Sequence, residues 1–341
     1  MREQRTLSIM EKQSLRPNKL VLYNDVKWYD KNGLIPRHQS YKQTSGTVKK
    51  AFHNFEISPN ASKTIKNKVN WLYQLAKAKS IETLSKKQIH SFKMAFITLT
   101  LPSQQIHPTA EITEKCFHQL LVELKKTYNL TNYVWRLEFQ KNGNVHYHLA
   151  TDCYIDYHII RKNWNRCINK LGYVNEYQKN MKSLSLLDYV NKYQKNGSTD
   201  FKTLSERYAK GVLNSWSVPP SVDVKVCTSG KAIGGYISKY FSKDEKNKSK
   251  CNILDNETNA FGLRLWFCSR SLSKLESLSE YVENAKIPLK MLLEGCQNIK
   301  QIVYDYCTVI YFEYDKMNNY TKSVLWKLFH DYALTTGYNS A

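Results

Sequence analysis

The chain has 341 residues, with 51 lysines and arginines against 29 acidic residues, a formal net charge of +22 spread along its length. Hydrophobic residues make up 42% and aromatics 13%, which supports a packed core and excludes wholesale disorder. A field of that sign concentrates polyanions, nucleic acid foremost. Membrane insertion is excluded from the expectation, because no apolar run approaches the ~20 residues of a span.

Residues 1–60 read as polar and irregular, with turn signals at Asn32-Gly33 and Pro59-Asn60. A helix is predicted over 61–79, where Ile65, Val69, Leu72 and Ala76 recur at helical spacing. Lys63, Lys66, Lys68 and Lys77 on its other face read as a solvated face rather than a phosphate grip. FITLTLP (96–102) is β-rich and stops at Pro102. A helix follows over 111–130, with Phe117, Leu120, Leu121 and Leu124 on one stripe. VWRLEFQ (134–140) and VHYHLATD (145–152), joined by a turn, read as a β-hairpin. Residues 154–173 form a second amphipathic helix through Ile160, Trp164, Cys167, Ile168 and Leu171.

Residues 174–217 read as a polar helical insertion, SVDVKV (221–226) as an alternating strand, and 234–246 as a Gly-led helix. The β-α-β-β-α-β order predicts an α+β fold, an antiparallel sheet flanked by helices of ferredoxin or RRM type. Beyond it, 261–272 reads as an edge strand and turn, 303–314 as a strand, and 323–334 as a closing helix. The chain thus divides into a basic N-terminal region (1–90), a central domain (91–275) and a C-terminal α/β segment (276–341). The eight cysteines form no C-x-x-C pair, so neither a zinc knuckle nor a redox motif is signalled. Together with an N-terminus lacking a secretion signal, this predicts a cytoplasmic protein with reduced thiols. There is no G-x-x-x-x-G-K-[ST] string, hence no sign of an NTPase motor.

His146 and His148 alternate with Tyr147, so the two imidazoles face the same side of their strand. Such a pair can share one divalent ion and leave positions open for substrate. Taken alone, H-x-H also occurs as a structural pair. Glu138 on the partner strand joins the histidines only if the hairpin loop is odd. A two-residue Asn142-Gly143 loop turns it away; a three-residue loop, Asn142 to Asn144, sets it opposite His148. For phosphoryl chemistry this donor set points to Mg²⁺ or Mn²⁺, with Mn²⁺ the more tolerant of nitrogen ligands.

YISKYFSK (236–243) places Tyr236 and Tyr240 four apart, with Lys239 and Lys243 three residues after each. A buried aromatic stripe is one reading; a fully buried face would not normally take two lysines. The other reading is nucleophilic: a neighbouring ammonium favours the phenolate of a group whose free pKa is ~10.

FITLTLP, HYH and YISKY, in this order, resemble the three motifs of HUH endonucleases. More narrowly they are similar to the rolling-circle replication initiators of single-stranded DNA phages and small plasmids, in the two-tyrosine form. The resemblance spans roughly residues 91–272. It implies Mg²⁺ or Mn²⁺ held by His146 and His148 with Glu138 as third ligand, Tyr236 as first nucleophile and Tyr240 as its partner. It also implies Lys239 and Lys243 at phosphate or metal-bound water. Thr98, Thr100 and Arg136 are the expected DNA contacts. The implied activity is nicking and joining of single-stranded or hairpin origin DNA through a 5′-phosphotyrosine. A host helicase and polymerase would complete replication, and no membrane is involved. A two-tyrosine transposase and a non-catalytic RRM-like nucleic-acid binder are the alternatives. The scattered cysteines argue against the first, which usually carries a zinc module.

Overall fold

The computed structural model describes residues 6–30, 33–35, 57–76, 79–83, 88–194, 200–227, 263–282 and 288–338. Strands β1 (Thr6–Arg16) and β2 (Lys19–Asp30) form a long antiparallel hairpin across Pro17-Asn18, and β3 (Gly33–Ile35) adds to β2. The expectation of an irregular N-terminus is therefore corrected. Only the turn-proximal end of the hairpin is apolar and buried, through Leu15, Leu20 and Leu22. Its pairing partners come from the far end of the chain, which no local pattern reveals.

Helix α1 (Pro59–Leu75) starts on a Ser58 cap, whose hydroxyl accepts from the Ala61 amide at 3.2 Å, with Pro59 in the first turn. Ile65, Val69 and Leu72 are fully buried along one stripe. Lys63 and Lys66 are exposed, but Lys68 is buried and donates to the Ser273 carbonyl at 3.0 Å. A small hairpin, β4 (Lys79–Thr83) and β5 (Gln88–Phe92), leads to β6 (Met94–Thr100). The next helical stretch runs from α2 (Thr109–Ile112) through a π-helical turn (Thr113–Phe117) into α3 (His118–Tyr128). It ends on left-handed Asn129.

Strands β7 (Tyr133–Phe139) and β8 (Val145–Thr151) form the central hairpin, followed by α4 (Tyr157–Asn169), capped by Asp156. Helices α5 (Tyr173–Lys182), α6 (Leu186–Tyr193) and α7 (Phe201–Leu213) occupy the stretch read as insertion. They close around a small core of Met181, Tyr189, Val190, Leu204 and Trp216. Strand β9 (Val222–Cys227) and the short edge strand β10 (Trp266–Cys268) complete the sheet.

That sheet has the order β10-β7-β8-β6-β9, with every neighbouring pair antiparallel. Numbered along the chain, β6 to β9 stand in the order 2-3-1-4, the ferredoxin-like arrangement the β-α-β-β-α-β order implies. One face carries Ile97, Leu99, Trp135, Leu137, Tyr147 and Leu149. It is buried against Phe117, Leu120 and Leu124 of the α2–α3 stretch and Ile160, Trp164 and Ile168 of α4.

The remaining elements are β11 (Leu278–Tyr281), β12 (Lys300–Tyr304), β13 (Cys307–Tyr311) and a C-terminal helix, Asn319–Thr335. The single strand expected over 303–314 is thus a hairpin turning at Asp305-Tyr306. A second antiparallel sheet, β11-β1-β2-β13-β12 with β3 beside β2, joins the two ends of the chain. Its core includes Trp71, Leu72, Leu325 and Phe329, and extends to Phe96, Val134 and Ala150 on the second face of the central sheet. That face is thereby covered at one end only.

Candidate metal centre

The uncovered end of that face holds two cross-strand rows. In one, Asp223, Thr98, His148, Arg136 and Trp266 stand side by side on β9, β6, β8, β7 and β10. In the next, Thr100, His146 and Glu138 do the same. Strand alternation sends these side chains to one face and Leu99, Tyr147 and Leu137 to the other. Tyr147 is fixed there: its ring stacks on Phe117 at a centroid distance of 4.3 Å, and its hydroxyl meets Thr113 Oγ1 at 2.7 Å.

The hairpin loop is odd, but it is Lys141-Asn142-Gly143, one residue earlier than expected. Glu138 therefore stands opposite His146, not His148. Gly143, with φ +82°, takes the left-handed position such a loop requires, and its amide donates to the Gln140 carbonyl at 2.9 Å. Asn144 is a ladder residue because its side chain is claimed elsewhere. Its Oδ1 accepts from the Gln105 amide at 2.9 Å, and its Nδ2 donates to the Ser103 carbonyl at 2.8 Å. The shift by two keeps the parity, so Glu138 remains on the histidine face.

The ligand atoms of Glu138, His146 and His148 all lie within 4.8 Å of one another. The imidazole centroids are 4.5 Å apart, and His148 Nε2 lies 2.7 Å from Glu138 Oε1. Burial alone would push the Glu138 carboxyl up, but the His148 hydrogen bond and the charges of His148, Arg136 and His146 hold it below the usual range. Burial and the neighbouring His148 lower His146 to about 4. His146 is therefore neutral near pH 7, the form that ligates. Its buried Nδ1 has no hydrogen-bond partner among the described residues. An orphaned imidazole nitrogen, a second imidazole and an ionised carboxylate fit one divalent cation, and three protein ligands on an open groove suit a catalytic rather than a closed structural site.

The groove is a depression of about 560 Å³ whose walls include Thr98, Thr100, Gln140, Lys141, Pro220 and Asp223. Thr98 Oγ1 lies 3.3 Å from His148 Nδ1, and Thr100 Oγ1 donates to Gln140 Oε1 at 3.2 Å. Both threonines line the groove, but their hydroxyls are engaged with the site itself. Arg136 is corrected as a DNA contact: it is 2% exposed, too buried to present its guanidinium to a phosphate, and its charge acts on Glu138. Asp223 and Gln140 were missed. The alternation of SVDVKV shows that Asp223 and Lys225 share a face, but which strand lies beside it emerges only from the sheet order. Tyr236, Tyr240, Lys239 and Lys243, with the helix expected over 234–246, lie outside the described residues.

Residues 94–245 match the family of replication-associated proteins of the ORF2 type. The matched region opens with β6, contains all three ligand candidates and ends just past the two-tyrosine segment. It supports a replication protein of the rolling-circle initiating kind. No match to a curated protein or to a solved structure was found. Among the described residues, no helix is long and apolar enough to cross a membrane.

Proposed function

We propose that this protein is a metal-dependent, site-specific endonuclease that nicks and rejoins single-stranded DNA to initiate rolling-circle replication. The observation that carries the reading is the convergence of Glu138, His146 and His148 on one open groove, inside the region that matches a replication-associated family. Mg²⁺ or Mn²⁺ held by these three residues would polarise the scissile phosphate and make phosphorus a better electrophile.

The chain's own contribution is nucleophile and orientation. The Tyr236 phenol oxygen forms a bond to phosphorus and displaces the 3′-hydroxyl, leaving the 5′-phosphate on the tyrosine. Lys239 would favour the phenolate. Tyr240, with Lys243, would accept the second strand in the joining step. One phosphodiester replaces another, so no nucleotide hydrolysis is required, in keeping with a chain lacking a phosphate-binding loop motif. The substrate would be single-stranded or an extruded hairpin, because a phenol must approach phosphorus in line with the leaving oxygen. Unwinding would fall to a helicase of the host and synthesis to its polymerase.

The test is covalent capture. Protein, Mn²⁺ and a randomised pool of labelled single-stranded oligonucleotides should yield an SDS-resistant adduct that maps to Tyr236 by peptide mass spectrometry. Loss of the adduct in Tyr236→Phe supports the assignment, and an unchanged adduct moves the nucleophile to Tyr240. No adduct with both tyrosines present leaves a DNA-binding protein without this chemistry.

A further inference from the structure

Helix α4 buries Ile160, Trp164, Cys167 and Ile168, and its opposite stripe carries His158, Arg161, Lys162, Asn165, Arg166 and Asn169. A polar stripe on an amphipathic helix is ordinarily a convex, solvated face. This one is concave: with Ser217 and Val218 it lines a depression of about 420 Å³. Its floor is built. Asn165 is 8% exposed, accepts from the Ser221 hydroxyl, and donates to the Pro219 carbonyl at 3.4 Å.

The cations are arranged to be available. Arg161 lies over the Tyr157 ring at 4.6 Å, and its Nη1 donates to the Tyr157 hydroxyl at 2.8 Å, which holds the guanidinium plane. Lys162 has no ion-pair partner among the described residues, and among them the only carboxylate engaged at this groove is Glu123, paired with Arg166. The wall matters most. Val218 lines this depression and Pro220 lines the metal groove, so one stretch of backbone separates the two. Two residues span at most about 7 Å, a distance a single strand bridges between neighbouring nucleotides.

We infer that the α4 groove is a second nucleic-acid subsite, which grips the phosphodiester backbone of the same DNA strand whose scissile phosphate lies in the metal groove. Arg161 offers a planar fork to phosphate and Lys162 a mobile point charge. The strand crosses the wall at Ser217–Pro220. The inference rests on the nuclease reading for the identity of the ligand, and its test is separable from that reading.

In the intact chain, Arg161→Ala/Lys162→Ala is compared with wild type by fluorescence anisotropy of a labelled oligothymidylate over a series of salt concentrations. The double variant should bind roughly tenfold more weakly at low salt, and its log–log salt slope should be shallower by about 1.4, two phosphates at ~0.7 each. Lys162→Glu should weaken binding further, and Lys162→Arg should restore it. Mn²⁺ affinity, titrated with the metal alone, should be unchanged, which also reports that the site is folded. Unchanged affinity and slope in the double variant would overturn the subsite, as would a loss confined to duplex DNA. A wild type that forms the covalent adduct while the variant binds normally sinks the groove and leaves the nuclease. A slope change without any adduct does the reverse.

Discussion

Thr98 holds the back of His148, its hydroxyl 3.3 Å from Nδ1, while Nε2 faces Glu138. A hydroxyl can donate or accept, so it supports the ring whether or not Nε2 carries a proton. Thr98→Val keeps the volume and removes that support. It should leave the thermal midpoint nearly unchanged and weaken Mn²⁺ binding by about 10–100-fold in calorimetric titration. His146→Ala should be more severe for chemistry and mild for DNA. Adduct formation should vanish, while oligonucleotide affinity persists, because the +22 charge supplies non-specific binding. A parallel loss of DNA affinity would place His146 in binding rather than metal capture. Away from the groove, burial raises Cys116 from 9.0 to about 12 and Cys167 from 9.0 to about 11. An acid whose folded pKa is raised ionises first in the unfolded chain. The fold should therefore lose stability as pH climbs from about 9 towards 11, a decline that denaturant midpoints at stepped pH would show. Both thiols should also resist alkylation in the native protein near pH 8.

At the scale of elements, the hairpin of β7 and β8 decides whether the site exists. Histidine spacing depends only on strand alternation, but Glu138 depends on where the loop begins, and that was settled by Gly143 and by the loop at 103–105 that captures Asn144. The helical stretch α5–α7 has a different vulnerability. A Cβ on Gly211 would collide with the Trp216 ring, and that ring packs against Tyr189 and Tyr208. Gly211→Ala should therefore destabilise this small cluster by about 1–3 kcal/mol despite the better helix propensity of alanine. Hydrogen exchange should show faster opening across 173–213, with Mn²⁺ affinity retained. Protection equal to wild type would mean that Trp216 can move aside without loss.

The whole molecule is organised by what covers each face of the central sheet. Helices α3 and α4 close one face completely. On the other, Trp71 of α1 and Phe329 of the C-terminal helix belong to the core that seals Phe96, Val134 and Ala150. The cover stops one row short of His148, so a polymer substrate can reach the ligands from one end only. The two ends of the chain, read separately as 1–90 and 276–341, share the second sheet that builds this cover. Net charge acts at the same scale. The logarithm of oligonucleotide affinity should fall linearly with the logarithm of salt, by about 0.7 for each phosphate neutralised on a single strand. A flat response would remove the nucleic-acid reading.

Strand and helix periods, the ferredoxin-like order and the same-side placement of His146 and His148 followed from the amino-acid sequence by itself. Each rests on local alternation or on the short hairpin and crossover links that dictate it. Tertiary structure alone decided that Glu138 joins the histidines, that Arg136 is buried, that Asp223 borders the groove and that polar strands at one terminus pair with strands from the other. These are relations between residues distant along the chain, set by loop register and by which faces are covered, and side-chain periodicity carries no record of either.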